Sequence, residues 1–171
     1  MATALPVSLA TKAALWLVSG IAGAVLFWLV QRLTGGPTIP DFMGEQIAGA
    51  GGFPARFAPA IGWAIHVGVS LSYALLFGVI VLLLAATRVP AQVVISAMIA
   101  VALAWVTTMV AAPAIRVTIS VVSGQGWPSE LFPPNTELGL PFWNHIGFFL
   151  LNWLVQALGP RLLRGGAAAV S

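Results

Sequence analysis

The sequence predicts an all-α, polytopic membrane protein: a bundle of four transmembrane helices with two long outer loops. Three observations support this prediction, namely the composition, the lengths of the apolar stretches and the placement of the charges. Of the 171 residues, 60% are hydrophobic and 6% are charged, whereas an ordinary soluble domain has about 25% charged residues. Seven Lys and Arg with four Asp and Glu are too few to cover a water-facing surface, so we expect a single membrane domain surrounded by lipid.

Four apolar stretches are the predicted spans, because a helix needs roughly 20 apolar residues to cross a membrane. They cover about residues 13–33, 59–86, 92–115 and 141–158. Only residues 87–91 separate the second span from the third, which predicts that these two helices are antiparallel neighbours. The first span is longer than the apolar core of a secretory signal, so we interpret it as a retained helix.

The charges differ between the two predicted membrane faces. The long outer loops, residues 34–58 and 116–140, contain all four acidic residues. The opposite face has four basic residues and no acid, and the outer face has three basic residues: Lys12, Arg88, Arg161 and Arg164 against Arg32, Arg56 and Arg116. The positive-inside rule therefore predicts that both termini are cytoplasmic. Because the basic residues are scattered singly, the sequence gives no indication of nucleic-acid binding.

The outer loops contain apolar residues throughout, so we expect them to lie on the membrane. Residues 117–122 alternate apolar side chains with Thr118 and Ser120, a pattern that predicts either a short strand or an interfacial helix. The prolines that follow predict an extended lead into the last span.

Two histidines, His66 and His145, are the ionisable residues inside the predicted spans, and such residues are costly in lipid and therefore informative. Counted from the outer ends of their helices, they lie at comparable depth. Each begins a polar stripe at helical spacing that we expect to face the bundle interior. These stripes are His66, Ser70 and Tyr73 in the second span, and His145, Asn152 and Gln156 in the fourth.

Three interpretations of the histidines remain open. The first is structural, since each imidazole can hydrogen-bond to a neighbouring helix or to a lipid head group. The second makes His66 and His145 axial ligands of haem b or of a chlorin, because neutral imidazole binds both macrocycles. The third, a metal site, is disfavoured because the spans contain no Asp, Glu or Cys; we therefore predict no metal ligands.

Arg32 and Arg116 end the first and third spans near the outer face. We interpret them as interfacial anchors that also complement the helix dipole; the alternative is an anion site beneath the loops.

Small residues recur at four-residue spacing and predict close helix packing. They are Ser19 with Gly23, Gly20 with Ala24, and the set Ser96, Ala100, Ala104 and Thr108. The partner helix of each stripe can belong to this chain or to another protein.

Several short sequences together resemble a known family. They are residues 65–67 (IHV), Pro90, residues 112–114 (APA), residues 144–149 (NHIGFF), residues 153–154 (WL) and the basic residues Arg161 and Arg164. Over about residues 62–164 the chain resembles the YagU-like family of small bacterial inner-membrane proteins, although its first loop is shorter than that family's. The resemblance implies a four-helix protein of the bacterial inner membrane that lacks an assigned enzymatic activity, with both histidines at family-like positions.

Three functional hypotheses follow. The first is a non-enzymatic accessory subunit that associates laterally in the bilayer with other membrane proteins or with copies of itself. The second is a haem b or chlorin protein for electron or energy transfer through His66 and His145. The third is a small-solute or proton-linked transporter. Because nucleotide-binding, metalloprotease and Ser/His/acid motifs are absent from the sequence, we predict that the chain is not an enzyme.

Overall fold

The computed structural model of the protein describes residues 7–87 and 89–160, and within these residues it is helical with no strand, which confirms the all-α class. A 3-10 turn, Ala55–Phe57, leads into the third helix, and a π-helical turn, Leu154–Leu158, continues the last one. The five α-helices are α1 Leu9–Leu33, α2 Ile39–Gly51, α3 Ala58–Ala86, α4 Gln92–Val122 and α5 Leu140–Trp153.

Three of these helices are long and apolar enough to cross a membrane. They are α1, α3 with its preceding turn, and α4, with 25, 32 and 31 residues. At about 1.5 Å per residue each exceeds the roughly 30 Å thickness of the hydrocarbon core. The α-helical part of the fourth predicted span, α5, has 14 residues, fewer than the roughly 20 that a crossing needs.

The first outer loop is not a loop throughout, because residues 39–51 form α2. Local signals explain this helix: the Thr38 hydroxyl accepts a hydrogen bond from Asp41 N, Pro40 lies in the first turn, and Gly52 ends the helix in the left-handed conformation (φ 67°). The side-chain amide oxygen of Gln31 also accepts a hydrogen bond from Ile39 N at 2.9 Å, so the start of α2 is tied to the end of α1.

The third predicted span is longer than expected, since α4 continues past Ile115 to Val122. Residues 117–122, predicted as a short strand or an interfacial helix, are the last turns of α4. The strand alternative is therefore wrong and the segment is helical, because Ile119 is buried against Met43 and Ile47 of α2. The α4 helix thereby provides the surface on which α2 lies.

Pro113 lies inside α4 without ending it. Proline has no N–H, so the carbonyl of Met109, four residues earlier, loses its helical partner. The backbone N–H of Asn135 donates to that carbonyl instead, at 3.2 Å. The helix α4 thus continues past Pro113, and the carbonyl that the proline leaves free anchors the segment of residues 123–139 to this helix.

Helix α5 packs antiparallel to both α1 and α4. Along α1 and α5, Ser19 bonds to Asn152 and the Phe27 ring contacts the His145 ring. Along α4 and α5, Trp105 contacts Phe142. We call the end of the bundle that carries α2 and residues 123–139 the cap end, and the end that carries Leu9, residues 87–91 and Pro160 the hairpin end.

The small-residue stripes are used within the chain. A Cβ on Gly20 would contact Ala74 and Leu71 of α3, and one on Gly23 would overlap with Phe148 of α5. The α4 stripe is buried throughout, with Ser96 2% exposed and the other members 0%: Ala100, Ala104 and Thr108. These stripes therefore bring α1 close to α3 and α5, and α4 close to α5.

In contrast, the backbones of α3 and α4 lie close together at few positions, although residues 87–91 join the two helices. Aromatic side chains separate them, because Phe77 of α3 and Phe149 of α5 are fully buried against Ala100 and Ala104 of α4. The two helices that the short connection joins are thus splayed apart. Arg88 in this connection, and the basic residues Arg161 and Arg164, lie outside the described residues.

Candidate functional site

A cavity of about 240 Å³ lies at the cap end, between the splayed helices α3 and α4. All five helices contribute side chains to its lining, and Asn135 contributes from the segment of residues 123–139. Most of the lining is apolar, with a few polar groups, which is the usual composition of a small-molecule site. His66, Ser70, Tyr73 and His145, all predicted from the sequence, are among its lining residues.

His66 lies on α3 and its side chain is 7% exposed. Its Nε2 is 3.0 Å from the backbone oxygen of Ala24 on α1. A carbonyl oxygen can only accept, so Nε2 carries the proton and donates it. The other ring nitrogen, Nδ1, has no hydrogen-bond partner in the described part of the chain.

His145 lies on the second turn of α5 and is 8% exposed. Its Nδ1 is 2.7 Å from the backbone oxygen of Pro141, one turn earlier, and for the same reason Nδ1 is the donor. Within residues 7–87 and 89–160, its Nε2 has no partner. The two histidines are thus each oriented by one carbonyl, and each has one nitrogen left for a ligand.

Phe27 of α1 connects the two histidines. Its ring packs edge-on against both imidazoles, with centroid distances of 5.7 Å to His66 and 5.2 Å to His145. Phe27 was not predicted from the sequence. Its position one turn after Gly23, on the face of α1 that packs on α5, was the available signal.

The other two members of the predicted polar stripes are not in this cavity. Asn152 and Gln156 lie nearer the hairpin end, where they form a buried network with Ser19 of α1. The Ser19 hydroxyl donates to Asn152 Oδ1 at 2.8 Å, and Gln156 Nε2 donates to the Ser19 hydroxyl at 2.8 Å. Gln156 Nε2 also reaches the carbonyl of Ala74 at 3.1 Å. This network joins α1, α3 and α5, and its place in a buried core indicates a packing role.

Asn144, which precedes His145, was not singled out from the sequence. It is 4% exposed, and neither its amide nitrogen nor its amide oxygen has a partner in the described residues. A buried amide without partners is destabilising, and Asn144 is not among the residues that line the cavity.

Arg32 and Arg116 are not part of the cavity either. Arg32 is exposed in the last turn of α1, and the Arg116 guanidinium lies 5.7 Å from the centroid of the Phe132 ring. In the described part of the chain, no acidic side chain pairs with either. The contact with Phe132 is a cation–π interaction, so Arg116 provides a second contact between α4 and the segment of residues 123–139.

The site and the fold define a class, namely a helical protein with three helices suited to crossing a membrane and, between helices, a mostly apolar cavity that contains a few polar groups. No known family model, curated protein or solved structure matches the chain. The resemblance to the YagU-like family stays a prediction.

Proposed function

We propose that this chain is a non-enzymatic, four-span membrane protein that binds a small amphipathic molecule in the cavity at the cap end. The observation that carries this proposal is the pair of buried histidines, each oriented by a carbonyl and each with an unpartnered nitrogen, around a cavity of about 240 Å³. Groups fixed in this way without a partner in the protein suit a bound ligand.

The fourth span in this proposal is α5 together with the turn that follows it. Residues 140–160 are helical without a break, and 21 residues at about 1.5 Å each are roughly as long as the hydrocarbon core is thick. Contacts with both neighbours along this length support a crossing: His145 meets Phe27 near the cap end, and Trp153 Nε1 donates to the Ser96 hydroxyl near the hairpin end.

The charge distribution supports an orientation with the hairpin end in the cytoplasm. By sequence position, Lys12, Arg88, Arg161 and Arg164 belong to that end, and the acidic residues belong to the cap end. The bacterial inner membrane is the location that the family resemblance favours. In this orientation the cavity lies at the outer side of the membrane.

The depth of the cavity indicates an amphipathic ligand. His66 lies twenty residues, or about 30 Å, from Ala86 at the hairpin end of α3, which is about the thickness of the hydrocarbon core. The cavity is thus near the boundary between acyl chains and head groups, beneath Ile39 and Met43 of α2. A molecule with an apolar body and a polar end partitions to this level.

The geometry favours this function over the haem alternative. Haem iron is ordinarily ligated by a free imidazole nitrogen whose ring is oriented by the other nitrogen. His145 meets that description, but Nε2 of His66 is occupied by the Ala24 carbonyl and Phe27 packs against both rings. Ligation of one iron by Nε2 of both histidines would require these contacts to break.

Lateral association and transport have weaker support. The small-residue stripes, whose partner helix could have belonged to another protein, are buried inside the chain, so they offer no surface to a second protein. The lining of the cavity contains no acidic or basic side chain apart from the histidines, whereas coupled transport ordinarily depends on charged groups within the membrane.

The test is binding of 1-naphthol to the protein in lipid nanodiscs, measured by equilibrium dialysis against empty nanodiscs. We expect saturable binding of one molecule per chain. Ser70→Trp places a large ring in the cavity and should abolish this binding, and Ala111→Phe should do the same from α4. Ser72→Trp is the matched control, because Ser72 is exposed on the same helix. Binding that is equal in all these variants would refute the cavity as the site.

A further inference from the structure

We propose that the cavity selects ligands that donate a hydrogen bond, specifically amphipathic molecules with a phenolic hydroxyl. This inference rests on the proposed function and adds the chemical class of the ligand. It follows from the direction of the two histidine hydrogen bonds, because each bond determines the role of the nitrogen that remains.

In His66, the proton on Nε2 is committed to the carbonyl of Ala24. A neutral imidazole has one N–H and one lone pair, so Nδ1 of His66 is an acceptor. In His145 the assignment is reversed: the proton on Nδ1 is committed to the carbonyl of Pro141, and Nε2 is the acceptor. Although different nitrogens are involved, both rings offer the ligand a lone pair.

The surroundings favour the neutral imidazole in both residues. The cavity lining contains no Asp or Glu that would pair with an imidazolium, and its remaining titratable group is the Tyr73 hydroxyl. An unpaired cation buried among apolar groups is strongly disfavoured. The two lone pairs therefore remain available, and a group that fills the cavity leaves them unsatisfied unless it brings a donor.

The other polar groups of the cavity are compatible with a hydroxyl ligand. The Ser70 and Tyr73 hydroxyls have no partner in the described residues, and a hydroxyl can donate as well as accept. A ligand hydroxyl can then donate to an imidazole nitrogen while its oxygen accepts from Ser70 or Tyr73. A ketone or an ether can accept from these hydroxyls but leaves both imidazoles without a partner.

The aromatic lining favours a phenol over an aliphatic alcohol. Rings of Phe27, Tyr73 and Phe148 bound the cavity. Phe27 packs edge-to-face with both histidines, and Tyr73 packs edge-to-face with Phe148. A flat aromatic body extends this packing, and a phenolic hydroxyl is a stronger donor than an aliphatic one.

The experiment compares three probes of similar size in the nanodisc assay. 1-Naphthol has a donor hydroxyl, 1-methoxynaphthalene has the same ring with the donor removed, and 1-tetralone is an acceptor alone. We expect 1-naphthol to bind about tenfold more tightly than either of the others, because its hydroxyl pairs with one of the two imidazole lone pairs, whereas the other two probes leave both unpaired. Equal affinity for all three, or tighter binding of 1-tetralone, would overturn the inference and leave the proposed function standing.

Variants of the histidines identify the acceptors. We expect His145→Leu and His66→Leu each to reduce 1-naphthol affinity by about threefold without weakening 1-methoxynaphthalene binding, because one acceptor imidazole remains, and the double variant to remove the tenfold preference between the two probes. Retained 1-methoxynaphthalene binding shows in the same assay that each variant is folded. An unchanged preference in the double variant would refute the role of the imidazoles. If none of the probes binds the unmodified protein saturably, the proposed function itself fails.

Discussion

Hydrogen bonds to two backbone carbonyls decide which nitrogen each histidine presents to the cavity. The acceptor carbonyls belong to Ala24 on a neighbouring helix and to Pro141 on the same helix. His66 is therefore fixed in the Nε2–H form and His145 in the Nδ1–H form. Because the chain has only two histidines, both forms can be observed separately.

This assignment predicts a difference in nitrogen NMR. In protein labelled with ¹⁵N at histidine and held at neutral pH, we expect one ring to show the chemical shifts of the Nε2–H tautomer and the other those of the Nδ1–H tautomer. Spectra of His66→Leu and His145→Leu assign the two rings. Two rings in the same tautomer would contradict the geometry at one of the sites.

Two asparagines on α5 provide a second comparison at the scale of single residues. Asn144 and Asn152 are both buried, but Asn144 has no partner in the described residues, and Asn152 accepts from Ser19 and donates to the carbonyl of Phe148. Leucine has a similar shape and no polar group. We expect Asn144→Leu to raise the free energy of unfolding by about 1 kcal/mol, because it removes an unsatisfied amide.

Asn152→Leu is the matched variant and should have the opposite effect. It removes one acceptor from the Ser19 hydroxyl and one from the Gln156 amide nitrogen, so we expect it to lower the free energy of unfolding by about 1–2 kcal/mol. Both values can be measured by SDS-induced unfolding in mixed micelles. A loss of stability in Asn144→Leu as large as that in Asn152→Leu would show that the Asn144 amide has a partner.

At the scale of helices, side-chain size decides where the bundle is closed and where it is open. Gly20, Gly23 and the small residues of α4 allow backbones to approach closely, while Phe77 and Phe149 hold α3 and α4 apart. The cavity is a consequence of this difference. Pro113 adds to it, because the carbonyl that it releases anchors Asn135 at the wall of the cavity.

The closest helix crossing holds α2 over the cavity. Gly44 of α2 faces the carbonyl of Ala58, and Gly62 of α3 faces the carbonyl of Pro40, with no room for a Cβ at either glycine. We expect Gly62→Ala to displace α2 and to lower the free energy of unfolding by about 1–3 kcal/mol, because backbone atoms cannot move aside as a flexible side chain does. Faster hydrogen exchange along α2 is the direct measurement.

Gly68→Ala is the control for this variant, since it lies on the same helix with nothing within 4 Å of an added Cβ. Alanine is a better helix former than glycine by about 1 kcal/mol, so Gly68→Ala should be neutral or stabilising. Gly44→Ala and Gly49→Ala form the equivalent pair on α2. If Gly62→Ala and Gly68→Ala behave alike, the crossing is looser than the structure indicates.

The sequence predicted those features of the whole molecule that depend on the length of an apolar stretch or on the burial of a polar side chain. Composition predicted a helical membrane protein, and the spacing of His66, Ser70 and Tyr73 placed three lining residues on one face of α3. The same spacing argument grouped Asn152 with His145, although α5 carries these side chains to different levels of the bundle. The helix α2, which lies over the cavity, was not predicted. Apolar residues such as Met43 and Ile47 indicate contact with the membrane as readily as packing on α4.

The number of spans and the orientation are properties of the whole molecule, and the absence of cysteine makes them accessible to labelling. Gly36 and Ser129 are exposed at the cap end, and Thr87 is exposed at the hairpin end. We expect Gly36→Cys and Ser129→Cys to react with a membrane-impermeant maleimide in intact bacterial cells, and Thr87→Cys to react after permeabilisation only, because the positive-inside rule places the hairpin end in the cytoplasm. The reverse pattern would show the opposite orientation.

A reporter fused to the C-terminus separates four spans from three. If α5 and its π-helical turn cross the membrane, the C-terminus returns to the side of the hairpin end, so a fused green fluorescent protein should fluoresce and a fused alkaline phosphatase should be inactive. If α5 lies on the membrane instead, the chain ends on the cap side and the phosphatase should be active. Gln156 makes the crossing physically reasonable, because its amide nitrogen is satisfied inside the bundle by Ser19, Asn152 and the carbonyl of Ala74, which removes much of the cost of a polar side chain in lipid.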